Sequence, residues 1–175
     1  MSTALPLPTF TAGQRLLASS LQQIITWATF KDNEPLLRIS QTTTQTLTTA
    51  VWTSITMDAS VTDPTGMHSN VTNNSRATAV TAGWYWAAGV VAFAASATGT
   101  RGARFAVNGS VVQGSAQFGP PTASGSLAIA AVSMPIFLNL GDYVELQGVQ
   151  NSGGNLATLM ATDLDSTLSL TWRHV

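Results

Sequence analysis

The chain has 175 residues, a formal net charge of −1, 45% hydrophobic residues and only 9% charged residues. This length fits one domain with an appended arm, and the hydrophobic fraction supports a sizeable core and argues against a globally disordered chain. Since an ordinary soluble domain carries about 25% charged residues, the deficit indicates that other chains cover part of the exterior.

The composition also disfavours several partners and sites. The seven Lys and Arg residues are scattered, so no basic stripe can neutralise phosphates, and we expect no nucleic-acid partner. The chain has no cysteine, which excludes disulfides and cysteine metal ligands. The longest apolar stretch, residues 84–95, is too short to span a bilayer, and no signal peptide is visible. We therefore expect a soluble protein without a membrane partner.

Residues 1–39 form a predicted N-terminal arm with one short helix, over residues 19–30. Ser19 and Gln22 have the spacing of a capping box at its start. Its apolar positions follow the i, i+3, i+4, i+7 pattern and are Leu21, Ile24, Ile25 and Ala28, with Trp27 off this stripe. So short a helix cannot bury its own apolar face, and it must pack on the β domain or on another protein.

From residue 40 onward the pattern is β throughout. Strands are predicted at residues 43–49, 51–57, 75–81, 84–94, 103–107, 111–118, 126–139, 143–150, 156–161 and 167–173. Between two of them, Asn108-Gly109 is typical of a type I′ hairpin turn, whose two central residues need φ > 0. Short strands without intervening helices favour an all-β antiparallel sandwich.

The strand over residues 84–94 is apolar on both faces. One face carries Tyr85, Val91 and Phe93, and the other carries Trp84 and Trp86. A two-sheet sandwich covers only one face of each strand, so the second face must meet a neighbouring subunit or the arm. We assign the first set to the core and the two tryptophans to that contact.

An ordered set of motifs resembles the jelly roll of tumour necrosis factor and of the complement globular head. Ala82-Gly-Trp-Tyr85 is similar to the family's a-G-x-Y strand opening, and Leu140-Gly-Asp-Tyr-Val-Glu-Leu146 to its x-x-G-D-x-V-x-L strand. Asn108-Gly109 lies between them, where many members carry N-G. The resemblance covers residues 41–175 and implies a TNF-like jelly-roll head, residues 40–175, that forms a homotrimer. Alternation along the second of these strands turns Tyr143 and Glu145 outward, and they are our candidates nearest the three-fold axis. Trp84 and Trp86 are the other two candidate residues of the subunit contact.

Other segments are similar to small structural proteins of tailed phages of actinobacteria: Phe10-Thr-Ala-Gly-Gln14, the helix near Trp27, Gly99-Thr-Arg-Gly-Ala-Arg104, and the ending Leu170-Thr-Trp-Arg-His-Val175. This resemblance implies a virion surface protein, assembled in the host cytoplasm, whose arm binds the particle. The candidate attachment residues are Phe10, Leu21, Ile24, Ile25 and Trp27. A capsid decoration or head-fibre role, with the major capsid protein as partner, is favoured over a tail role with tail proteins, because the chain has no long shaft.

No side-chain grouping predicts catalysis, a metal or a cofactor. The two histidines, His68 and His174, lie far apart without the partners of a triad or zinc site. Asp163 and Asp165 lack the continuation of a calcium loop. We therefore expect a non-enzymatic protein. The alternative function is a tail-associated receptor-binding or carbohydrate-binding tip, in which the loops bind a host surface glycan.

Overall fold

The structure, a computed structural model, describes residues 9–15, 17–122, 127–131, 133–161 and 163–174. Within these residues the chain forms one helix, α1 (Ala18–Asp32), and fourteen strands. In chain order the strands are β1 (Leu36–Ser40), β2 (Thr46–Leu47), β3 (Thr53–Ser54), β4 (Ala59–Thr62), β5 (Arg76–Thr78), β6 (Gly83–Phe93), β7 (Arg101–Val107), β8 (Ser110–Val111), β9 (Gln117–Gly119), β10 (Leu127–Ala130), β11 (Met134–Leu138), β12 (Tyr143–Gln150), β13 (Leu156–Ala157) and β14 (Thr167–His174).

Two antiparallel six-stranded sheets form the sandwich. The first sheet has the order β10-β6-β14-β1-β4, and β11 also pairs with β6. The second has the order β3-β12-β7-β8, with β5 on β12 and β9 on β7. Strands that are neighbours in a sheet are mostly distant in sequence, as in a jelly roll. The predicted all-β antiparallel jelly-roll sandwich, with a short N-terminal helix, is confirmed.

The core lies between the two sheets and is built by alternate residues of their central strands. Tyr85, Val91 and Phe93 on β6 are fully buried, as predicted, and face Phe105 on β7 and Leu146 on β12 in one hydrophobic cluster. The Tyr85 hydroxyl donates a hydrogen bond to the Thr81 carbonyl oxygen at 2.7 Å. Burial raises the pKa of Tyr85 to about 12, because the phenolate would lose its hydration.

The predicted hairpin turn at Asn108-Gly109 is present and joins β7 to β8. Both residues have positive φ, 50° and 79°, and Val107 pairs directly with Ser110. The Asn108 side chain also donates to the Asp142 carboxylate at 2.8 Å, and the Tyr143 N–H donates to Asn108 at 3.0 Å. The N-G and G-D motifs, far apart in sequence, therefore meet at one end of the second sheet.

The helix is confirmed with slightly wider bounds, but its predicted cap is wrong. The helix begins at Ala18, so Ser19 lies inside its first turn, and Leu17 occupies the N-cap position without a side-chain hydrogen bond. At the other end, the Asn33 side chain donates to the Thr29 carbonyl oxygen at 3.0 Å. Directly afterwards β1 pairs with both β14 and β4, so sheet structure begins at Leu36, before the predicted arm–head boundary at residue 39.

Candidate functional site

The outer face of the first sheet carries exposed aromatic side chains at one end. Trp84 and Trp86 are 39% and 47% exposed, and Phe137 on β11 is 45% exposed. Strand pairing places Phe137 opposite Trp84, and their rings meet edge to face at 5.5 Å. Pro135 lies opposite Trp86 on the same strand. These four side chains, Trp84, Trp86, Pro135 and Phe137, are called the aromatic face below.

The aromatic face borders an open cleft. Trp84, Trp86, Pro135, Arg173 and His174 line this cleft, which has a volume of about 470 Å³. Beside the aromatic face, the strand register brings small uncharged side chains together in one patch: Ala88 and Val90 on β6, and Thr167, Ser169 and Thr171 on β14. A surface of this composition loses little hydration when it meets another protein surface.

Tyr143 and Glu145 lie on the outer face of the second sheet, on the far side of the sandwich from the aromatic face. Both face outward, as predicted, but Tyr143 is half-buried and Glu145 is only 8% exposed. The cause is β5, which pairs with β12 and brings Ser75 and Arg76 over it. The Ser75 hydroxyl donates to Glu145 at 2.7 Å, and Arg76 Nε lies 3.8 Å from the same carboxylate. The guanidinium of Arg76 also stacks over the Tyr143 ring at 4.1 Å.

The candidate attachment residues lie on α1 and just before it. Phe10, Leu21, Ile24 and Ile25 are all exposed, and Trp27 is partly exposed. No residue of the helix is buried. The sequence left two packing partners open for the helix, its own β domain or another protein. The structure shows that its own β domain does not cover the apolar stripe.

The C-terminal end of the helix contacts the head. Phe30 packs edge to face on Trp172 at 5.1 Å, and Lys31 Nζ lies 5.8 Å from the same ring. Trp172 pairs with Tyr85 on β6, so the helix leaves the head at the end of β6 that carries Trp84 and Trp86. The exposed helix and the aromatic face are therefore at the same end of the molecule.

The two histidines have separate environments. His68 lies in a second cleft of about 350 Å³, and its ring nitrogens are 2.8 Å from the Arg76 carbonyl oxygen and 3.0 Å from that of Met57. Both nitrogens are thus engaged by the backbone. His174 pairs with Trp84 on the other sheet. Among the described residues, no three His, Cys, Asp or Glu side chains are placed to hold a metal ion.

A third surface was missed by the sequence analysis. On the outer face of the second sheet, Trp52 and Phe118 meet edge to face at 5.7 Å, and the Arg104 guanidinium stacks on Trp52 at 4.1 Å. Arg104 Nε also donates to the Gln147 side chain at 2.8 Å. Alternation along β7 and β9 places Arg104 and Phe118 outward, but Trp52 lies in a loop whose position no local pattern predicts.

The described part of the chain contains no helix with the length and apolar character needed to span a bilayer.

Comparison with known proteins identifies the fold. No protein-family model and no curated protein matches the sequence. Among solved structures, the globular domain of zebrafish complement 1qA protein superposes with a TM-score of 0.57 at 14% identity, covering 81% of this chain and 98% of that one. Murine APRIL gives a TM-score of 0.58 at 11% identity, covering 79% and 98% of the two chains. Eiger TNF from S. frugiperda gives 0.55 at 10% identity, covering 81% and 94%. The head is therefore similar in fold to TNF-like and complement-head domains.

Proposed function

We propose that the chain is a non-enzymatic virion structural protein, a homotrimeric jelly-roll head held on the surface of a phage particle by its N-terminal arm. The observation that carries this proposal is the exposure of two apolar surfaces on one small chain, the aromatic face and the stripe of α1. A soluble monomer rarely exposes large apolar patches that serve no contact. Both exposures are explained if the aromatic face contacts a neighbouring subunit and the stripe of α1 contacts the particle.

A three-fold ring also accounts for the separation of the candidate contacts. In a cyclic trimer each subunit uses two different patches, one for each neighbour. The aromatic face on the first sheet would be one patch, and Tyr143 with its covering Arg76, on the second sheet, would lie in or near the other. The low charged fraction of 9% is consistent with a large buried contact of this kind.

For the particle surface we favour the capsid, with the major capsid protein as the partner of the arm. The helix is 15 residues long, which corresponds to about 22 Å at 1.5 Å per residue. A segment of this length supports a head that sits close to the surface, as decoration or a short head fibre. Immunogold labelling of intact particles tests the assignment: decoration predicts label over the whole capsid.

The attachment residues can be tested in the full-length chain. Ile25→Ser together with Trp27→Ser should abolish binding of the purified protein to undecorated particles, since both side chains are apolar and neither is buried. The matched control is Gln23→Ser, an exposed polar position on the same helix, which should bind normally. Full occupancy by the double variant would place the anchor elsewhere.

A tail-associated, glycan-binding tip is the second candidate function. The observation in its favour is the pairing of Trp52 and Phe118, with Phe118 58% exposed, beside the polar side chains of Arg104 and Gln147. Exposed aromatic rings next to hydrogen-bonding groups suit a sugar ring. Labelling of a few copies at the tail, with loss of host-cell adsorption on Phe118→Ala, would favour this function over decoration.

A further inference from the structure

Helix α1 has the residue spacing of a coiled-coil seam. Leu17, Leu21, Ile24 and Ala28 follow one another at intervals of four, three and four residues. This is the a/d pattern of a heptad repeat, with Leu21 and Ala28 at a and with Leu17 and Ile24 at d. We call these four residues the seam. The spacing brings Leu21, Ile24 and Ala28 onto one narrow stripe along the helix, and Leu17 lies at the N-cap, directly before the first turn.

The seam faces away from the helix's own head. Leu17, Leu21 and Ile24 are 55%, 45% and 36% exposed, and Ala28 is also exposed. Phe30, which fixes the helix to Trp172, lies about 150° around the helix axis from the centre of the seam, at 100° per residue. Because the head holds the helix by the opposite side, it cannot cover the seam.

The chemistry of the helix suits association with identical copies. Residues 17–30 contain no charged side chain, so two or three copies can lie side by side without repulsion between like charges. In parallel coiled coils, Leu at a with Ile at d favours assemblies of more than two strands. The pair Leu21 and Ile24 has this arrangement.

Attachment to the head would compensate for the low intrinsic stability of the short helix. About two heptads are marginal in isolation, because helix nucleation is costly. In the proposed trimer, however, the helices leave the heads beside the aromatic face, and linkage to the heads raises their effective concentration to the millimolar range.

We propose that the three α1 helices of the trimer pack in parallel through the seam as a three-stranded coiled coil. This inference rests on the proposed trimer and names the occupant of the apolar stripe as two further copies of the same chain. Leu21 and Ile24, both candidate attachment residues, then belong to a subunit contact. Ile25 and Trp27, at the flanks of the seam, and Phe10, before it, remain for the particle.

A single introduced cysteine tests the proposal cleanly, because the chain has none of its own. Ile24→Cys places a thiol at a d position, and Gln23→Cys places one on the opposite side of the same helix. Both side chains are exposed, so neither change should unfold the head. Under mild oxidation, the full-length Ile24→Cys protein should form a covalent dimer about tenfold faster or more than Gln23→Cys, since only its thiols would lie within disulfide range of each other.

The outcomes separate this inference from the proposed function. Equal cross-linking rates in a protein that sediments as a trimer would overturn the coiled coil and leave the trimer intact. A wild-type monomer in the same sedimentation run would instead overturn the trimer itself. As a second measurement, Leu21→Asp should reduce the helical circular dichroism signal at matched concentration, whereas Gln23→Asp should not. Equal signals in the two variants would also contradict the coiled coil.

Discussion

Among single residues, Asp142 ties together two turns at one end of the second sheet. Its carboxylate accepts hydrogen bonds from the Asn108 side chain at 2.8 Å and from the Asn139 backbone N–H at 2.7 Å. The bond from Asn108, followed by the bond from Asn139, lowers the pKa of Asp142. Because the pKa is lower in the folded than in the unfolded chain, the carboxylate stabilises the fold at neutral pH. This contribution is lost as the pH falls through the lowered pKa.

Asp142→Ala should therefore lower the free energy of unfolding by about 1 kcal/mol at neutral pH, a modest cost because the carboxylate is largely solvated. Urea unfolding of wild type and variant should show a smaller difference once the pH is well below the ordinary carboxyl value of 3.8. The control is Asp163→Ala, an exposed aspartate, which should change stability little. A difference that is the same at neutral and acid pH would contradict this role.

At the level of secondary-structure elements, β6 and the hairpin were predictable and the edge strands were not. β6 is apolar on both faces over eleven residues, and the type I′ turn needs two residues that tolerate positive φ. By contrast, the single strand predicted over residues 126–139 is divided into β10 and β11. Between them the Ala131 N–H and the Ser133 hydroxyl donate to carbonyl oxygens of β6, an irregularity that local alternation cannot reveal.

The strands predicted at residues 43–49 and 51–57 shrink to two residues each, because a side chain replaces part of the backbone ladder. The Gln45 amide donates to the Ser54 carbonyl oxygen at 3.1 Å, and its oxygen accepts from the Thr56 N–H at 3.0 Å. β1 and β4, which lie outside the predicted strands, extend the first sheet beyond β14, with β4 at its edge. A glutamine that bridges two loop segments has no sequence signature.

Gln45→Ala should lower the free energy of unfolding by about 2 kcal/mol, because two partly buried backbone groups lose their hydrogen-bond partner. Chemical denaturation measures the change. Gln113→Ala, on an exposed turn between β8 and β9, is the matched control and should leave the denaturation midpoint almost unchanged. Equal midpoints for the two variants would show that the Gln45 bridge does not stabilise the fold.

For the whole molecule, part of the candidate interface followed from the sequence. Because residues alternate between the two apolar faces of β6, the sequence predicted that Trp84 and Trp86 lie outside the core, and both are exposed. The environment of Glu145 could not be predicted in this way, because it depends on β5, which is about 70 residues away in sequence. The contribution of Phe137 and Pro135 to the aromatic face likewise depends on the pairing of β11 with β6.

In the proposed trimer, the contact between subunits includes the aromatic face. If Trp84 anchors that contact, Trp84→Ala should weaken the free energy of subunit association by about 2 kcal/mol or more per subunit. The trimer has three symmetric contacts, so the loss occurs three times. Val71→Ala, at a side chain that is 88% exposed in a loop, is the control and should not change the oligomeric state.

Sedimentation equilibrium at micromolar concentration measures the oligomeric state. We expect the wild-type protein to sediment with about three times the 18.3 kDa mass of the chain. Trp84→Ala should shift toward the monomer while its circular dichroism remains that of a folded β protein. A wild-type protein that sediments as a monomer under these conditions would contradict the proposed trimer.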